Sequence, residues 1–122
     1  MYWYLYPLLK KEPDHILLHV GSNNAMSMPA DEILSNLIGL KNHIEKLLPE
    51  CNVVISQPIL RIDNMDASAT MNELIRYINN LDIKIMDNSN ISREYLGQKD
   101  LHLSMYGTKR LAMNIINWIR GL

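Results

Sequence analysis

The sequence predicts an α/β domain in which parallel strands are joined by helices that cover both faces of the sheet. Two observations carry this. Short apolar runs at 15–20, 52–57 and 82–87 are each followed by a stretch with helical periodicity. Their starts have the spacing of successive βαβ units, which take about 30 residues or more. The chain of 122 residues is 48% hydrophobic and 20% charged, a composition that suits one compact domain over 1–122 and excludes a disordered chain.

The elements follow in order. Residues 1–9, Met-Tyr-Trp-Tyr-Leu-Tyr-Pro-Leu-Leu, suit a short helix packed on a core. They do not suit a signal peptide, because Lys10 and Lys11 follow the apolar stretch and no small-residue cleavage site comes after them. The run His15-Ile16-Leu17-Leu18-His19-Val20 stops at Gly21 and reads as a strand buried on both faces. Pro29 fits the first turn of a helix, with Asp31 and Glu32 near its positive end. Ile33, Leu34, Leu37, Ile38, Ile44, Leu47 and Leu48 then mark one helix face, with Lys41 as its polar intruder. Asn52–Gln57 is the second strand, closed by Pro58, and 59–66 a polar loop. Met71, Leu74, Ile75 and Ile78 mark a second helix, and 82–87 a third strand. After a long loop over 88–103, Ser104 caps a last helix. Its apolar face is Leu111, Ala112, Ile115, Ile116 and Ile119, and Gly121 ends it.

Composition bounds the function. Twelve basic residues against thirteen acidic ones give a net charge of -1, which argues against nucleic acid as a partner. No apolar run reaches the roughly 18 residues of a membrane span, and a cytoplasmic location is the default expectation. The single cysteine, Cys51, precedes a strand and reads as a buried small hydrophobe. His15 and His19 alternate on a strand, where they stand about 13 Å apart, too far to share one ion. They read as core or edge histidines, His43 as a solvated one, and the eight methionines as core filler.

In a parallel α/β sheet, chemistry gathers beyond the carboxyl ends of the strands. Two polar clusters belong there: Gly21-Ser22-Asn23-Asn24, and Asp100-Leu101-His102 just ahead of the last helix. An asparagine amide past a buried strand can donate to an oxyanion. A histidine at the second position can act as a general base, with an acid to orient it. In this order, Gly21-Ser22-Asn23-Asn24 and Lys99-Asp100-Leu101-His102-Leu103-Ser104-Met105-Tyr106-Gly107 resemble the third and fifth sequence blocks of the SGNH, or GDSL-type, hydrolases. These are esterases and lipases of three-layer α/β/α, flavodoxin-like fold, and the resemblance covers about residues 4–120. It implies that Asn23, with Gly21, belongs to the oxyanion hole. It makes His102 the base and Asp100 the candidate for its orienting acid. The implied reaction is transfer of an ester or acetyl group to water, on a small ester substrate, with no metal and no organic cofactor.

The chain also departs from the family. Its first block is a Gly-Asp-Ser that carries the nucleophile, and no serine precedes Ser22 and no glycine precedes Gly21. Residues 1–13 look like the helix ahead of the third block. The expectation is a domain truncated at its N-terminus, with about three strands, and inactive as this chain. Position 99, where the family has Asp, is Lys99, and Asp100 stands one residue closer to His102. Asn24 replaces the family's Asp. Ser22 and Ser104 read as turn and cap residues, not as nucleophiles. Without the first strand, the run 15–20 becomes an apolar edge, and self-association through it is expected. The alternative is a non-catalytic α/β binding or assembly module, a decayed or retroelement-associated esterase copy.

Overall fold

A computed structural model of the chain describes residues 10–19, 27–97 and 103–122. The helix expected over 1–9 lies outside them. The described elements are β1 (His15–Leu18), α1 (Ala30–Leu47), β2 (Asn52–Ser56), α2 (Met65–Asn79), β3 (Ile85–Met86), a 3-10 turn (Arg93–Tyr95) and α3 (Met105–Arg120). The strands form one parallel sheet in the order β1-β2-β3. In its register His15 lies opposite Asn52, Leu18 opposite Ile55, and Ile55 opposite Ile85. The expected α/β class and parallel pairing are therefore present.

α1 begins after Pro29, whose extended backbone (φ -69°, ψ 158°) precedes Asp31 and Glu32 in the first turn. Acidic side chains there meet the unpaired N–H groups of the helix start. Ile33, Leu37, Leu40 and Ile44 recur at helical spacing and are buried. Lys41 lies along the rim of this face, and its ammonium reaches Glu45 at 2.6 Å. The aliphatic stem can stay covered while the charge is paired at the surface. Leu47, expected on the buried face, is exposed in the last turn.

α2 starts at Met65, so the loop expected over 59–66 gives its last two residues to the helix. The Asn64 side chain accepts from Ala67 N at 3.0 Å and caps it. Ala67, Met71, Leu74 and Ile78 are fully buried and meet α1, Leu18, Val53 and Ile55 in one cluster. Burying each such large apolar side chain contributes about 1.5–3 kcal/mol.

Several expectations need correction. The strand expected over 82–87 is regular only at Ile85–Met86. Its backbone pairing reaches one residue further, through Ile55 N to Lys84 O at 3.0 Å. Asp82 and Lys84 are exposed, and the chain bends over 81–83 as it leaves α2. The first strand is not buried on both faces. His15 is exposed, Ile16 and Leu17 are half-buried, and only Leu18 is buried. β1 ends the sheet order, and among the described residues β2 is its one strand neighbour.

The last helix also differs from expectation. Leu111 and Ile115 are half-buried, while Ala112, Ile116 and Ile119 are exposed. α3 rests on the 3-10 turn and β3. It reaches β1 through Trp118, whose ring meets the edge of His15 at 6.4 Å. Its buried residue is Gly107. Met65, Met105 and Met113 are likewise exposed, so only some of the methionines fill the core, Met71 and Met86 among them.

Gly107 fixes how α3 docks. A Cβ there would fall far inside contact distance of the Tyr95 carbonyl oxygen and 3.0 Å from Leu103 Cδ2. In a free helix, Gly→Ala gains about 1 kcal/mol. Here Gly107→Ala is expected to cost about 1–3 kcal/mol, as overpacking does. Urea denaturation measures this, and a variant more stable than the parent would contradict it.

Candidate functional site

The strands are parallel, so their carboxyl ends share one edge. Each contributes a polar residue there: His19 just past β1, Ser56 and Gln57 at the end of β2, and Asn88 two residues past β3. Ser56 and Asn88 are 1% and 3% exposed, so each polar atom needs a partner. Asn88 Nδ2 donates to Ser56 Oγ and to the Gln57 carbonyl, both at 2.8 Å. Asn114 Nδ2, from α3, donates to Asn88 Oδ1 at 2.9 Å. Asn90 and Asn114 exchange reciprocal amide bonds at 3.0 and 2.9 Å. No buried side-chain polar atom among the described residues is left without a partner.

The network sets the state of His19. Its Nδ1 lies 2.8 Å from Ser56 Oγ. Ser56 already accepts from Asn88, so its one proton is best used toward His19 Nδ1, leaving the ring proton on Nε2. His19 is exposed by area, yet the protein crowds its ring enough that desolvation lowers its pKa from the ordinary 6.5. A serine at hydrogen-bond distance from a histidine has the spacing of a nucleophile and its base. Ser56 is too deeply buried for a substrate to reach, so this pair braces the sheet edge.

A second clamp stands ahead of α3. Leu96 and Leu103 form an isolated antiparallel bridge. The Tyr95 carbonyl accepts from Ser104 N at 2.8 Å and from Ser104 Oγ at 2.9 Å. Ser104 Oγ in turn accepts from Gly107 N at 3.1 Å, the cap expected for this helix. Ser104 and Gly107 thus join the helix start to the 3-10 turn.

Of the residues singled out from the sequence, Gly21, Ser22, Asn23 and Asn24 lie outside the described residues, as do Lys99, Asp100 and His102. The described neighbours of these two segments are the residues just named: His19 before the first, Leu96, Leu103 and Ser104 around the second. The sequence reading missed the roles of Ser56, Asn88 and Asn114. The available signal was a polar pair closing the second and third apolar runs, Ser56-Gln57 and Asp87-Asn88, and an asparagine between Met113 and Ile115.

Other candidates have structural roles. Cys51 is a buried free thiol beside the start of β2, and burial, with Asp14 and Glu45 nearby, pushes its pKa above 9.0. It stays protonated, at the sheet end opposite the polar network. His15 sits 3.3 Å from the Asn52 amide. His43, expected in solvent, is half-buried and has a partner. In the loop after β2, the buried Arg61 makes a two-pronged ion pair with Asp63, at 2.8 and 2.7 Å. Among the described residues no group of three or more His, Cys, Asp or Glu could hold a metal ion, and no helix is long and apolar enough to cross a membrane. Compared with known proteins, the chain matches no family model and no curated protein.

Two outcomes follow from the network. Asn88→Ala removes one partner each from Ser56, the Gln57 carbonyl and Asn114, and is expected to cost about 1–3 kcal/mol. Asn90→Ala, at an exposed position, should stay within about 0.5 kcal/mol. Equal losses in chemical denaturation would refute the central place of Asn88. The second outcome concerns pH. With its native pKa lowered, His19 takes up its proton more readily unfolded, so stability falls as pH drops below 6.5 toward the native value. His19→Gln should flatten the fall of Tm between about pH 7.5 and 5. A parent and variant with parallel profiles would show that His19 does not contribute.

Proposed function

We propose that the chain is part of an SGNH hydrolase-type esterase domain, of flavodoxin-like three-layer architecture. The observation that carries the reading is the parallel β1-β2-β3 order, whose carboxyl edge is built as a braced polar shelf. In chain order one resemblance block follows β1 and the other leads into α3. Ser104 and Gly107 of the second block have local reasons to be Ser and Gly, which supports reading that block as a structural unit.

In this reading Asn23, with Gly21, stabilises the oxyanion, and His102 is the base, with Asp100 as its orienting acid. Asp100 is the weakest part, being one residue from the family's position. The 122 residues contain no Gly-Asp-Ser, so hydrolysis needs a serine supplied from outside them. The edge of β1, which no described strand pairs, suits the strand that would bring it, or a second copy of this chain. One observation favours the alternative, a non-catalytic binding or assembly module. The Ser–His pair that the described residues do contain, Ser56 and His19, has its hydroxyl buried.

The chain alone should hydrolyse p-nitrophenyl acetate no faster than buffer. Extended at its N-terminus by the coding sequence that precedes it, it should hydrolyse this ester. His102→Ala should then lower the rate at least about 10³-fold. An extension without a Gly-Asp-Ser, or a rate indifferent to His102→Ala, would overturn the esterase reading in favour of the module.

A further inference from the structure

From a groove beside α3, we infer a binding site for a small ligand that joins an anionic group to an aromatic ring. The groove has a volume of about 560 Å³ and lies between α3 and the segment after β3. One wall is a stripe of α3 at helical spacing: Tyr106, Lys109, Arg110 and Asn114. The other is Asn90 and Tyr95. Among the described residues, two cations and no carboxylate line this groove. The nearest acid in sequence, Glu94, accepts from Ser92 Oγ at 3.1 Å.

The groove is already organised. Arg110 donates to Tyr95 Oη at 2.6 Å, and its guanidinium stands 5.0 Å from the centre of the Tyr95 ring. One N–H is so used, and others remain for a ligand oxygen. Asn90 and Asn114 hold each other by two amide bonds, and Asn114 is tied to the buried Asn88. The floor is thus anchored to the sheet, and fewer side chains need to be ordered on binding. Tyr106 is 73% exposed and pairs with neither cation, which leaves its ring face for stacking. The two cations select a carboxylate or phosphate, and the tyrosines a flat ring. This site does not rest on the hydrolase reading, because none of its residues takes part in that chemistry.

Calorimetric titration of the whole chain with phenyl phosphate, inorganic phosphate, benzoate and phenol tests the inference. Phenyl phosphate and benzoate should bind with 1:1 stoichiometry, and each at least about fivefold tighter than phenol. The stronger of the two names the anion. Lys109→Gln combined with Arg110→Gln should weaken the stronger ligand at least about tenfold, and Tyr106→Ala about threefold. These side chains are exposed, so the variants should keep the parent's thermal melt. Raising the salt should weaken binding. Retained affinity in the doubly substituted chain, inorganic phosphate binding as tightly as phenyl phosphate, or no binding of either aromatic anion would overturn the inference.

Discussion

Asn88 is the point at which the separate parts of this molecule become one. Its amide nitrogen binds both the hydroxyl of Ser56 and the carbonyl of Gln57, and its amide oxygen receives α3 through Asn114. These three hydrogen bonds are directional, whereas the apolar contacts around them are not. The α1–α2 core could be satisfied by many relative placements of α3, because that helix contributes little to it. The amide network chooses one. In a protein whose third helix is mostly exposed, position is set by polar geometry and not by burial.

The two sides of the sheet therefore rest on different physics. α1 and α2 bury Leu37, Ile44, Met71 and Leu74 against Val53 and Ile55, and the hydrophobic effect holds them. α3 relies on a glycine seated against a carbonyl, on a capping serine and on three asparagines. Such a side tolerates less change in its polar residues than in its apolar ones. It also leaves the outer surface of α3 free to carry Tyr106, Lys109 and Arg110 toward solvent.

What could be read in the sequence follows the same division. The three strands, α1 and α2 were legible because their apolar periodicity reports burial directly: Ile33, Leu37 and Ile44 repeat, and so do Met71, Leu74 and Ile78. α3 shows the same periodicity, but Ile116 and Ile119 face outward, because pattern alone cannot say whether a partner surface is present. β3 shrank to two residues because strand length depends on neighbours that the run itself does not name. The polar shelf was illegible for a related reason. Ser56 and Asn88 are 32 residues apart, and nothing local pairs them. The candidate catalytic residues came from motif resemblance alone, and Asn23 and His102 lie outside the described residues.

The clamp before α3 has a consequence for how such a site can change. Leu96 and Leu103 meet as a bridge, and Tyr95 and Ser104 lock it one residue further out. The two ends of the intervening segment are thus held together by the scaffold. Closing a longer insert costs little, about 0.6 kcal/mol for each doubling of its length. Lengthening the stretch 97–102 therefore adds little closure cost while Leu96 and Leu103 stay bridged. The proposed Asp100-Leu101-His102 site falls within that stretch of sequence, so the clamp can be kept while those residues vary.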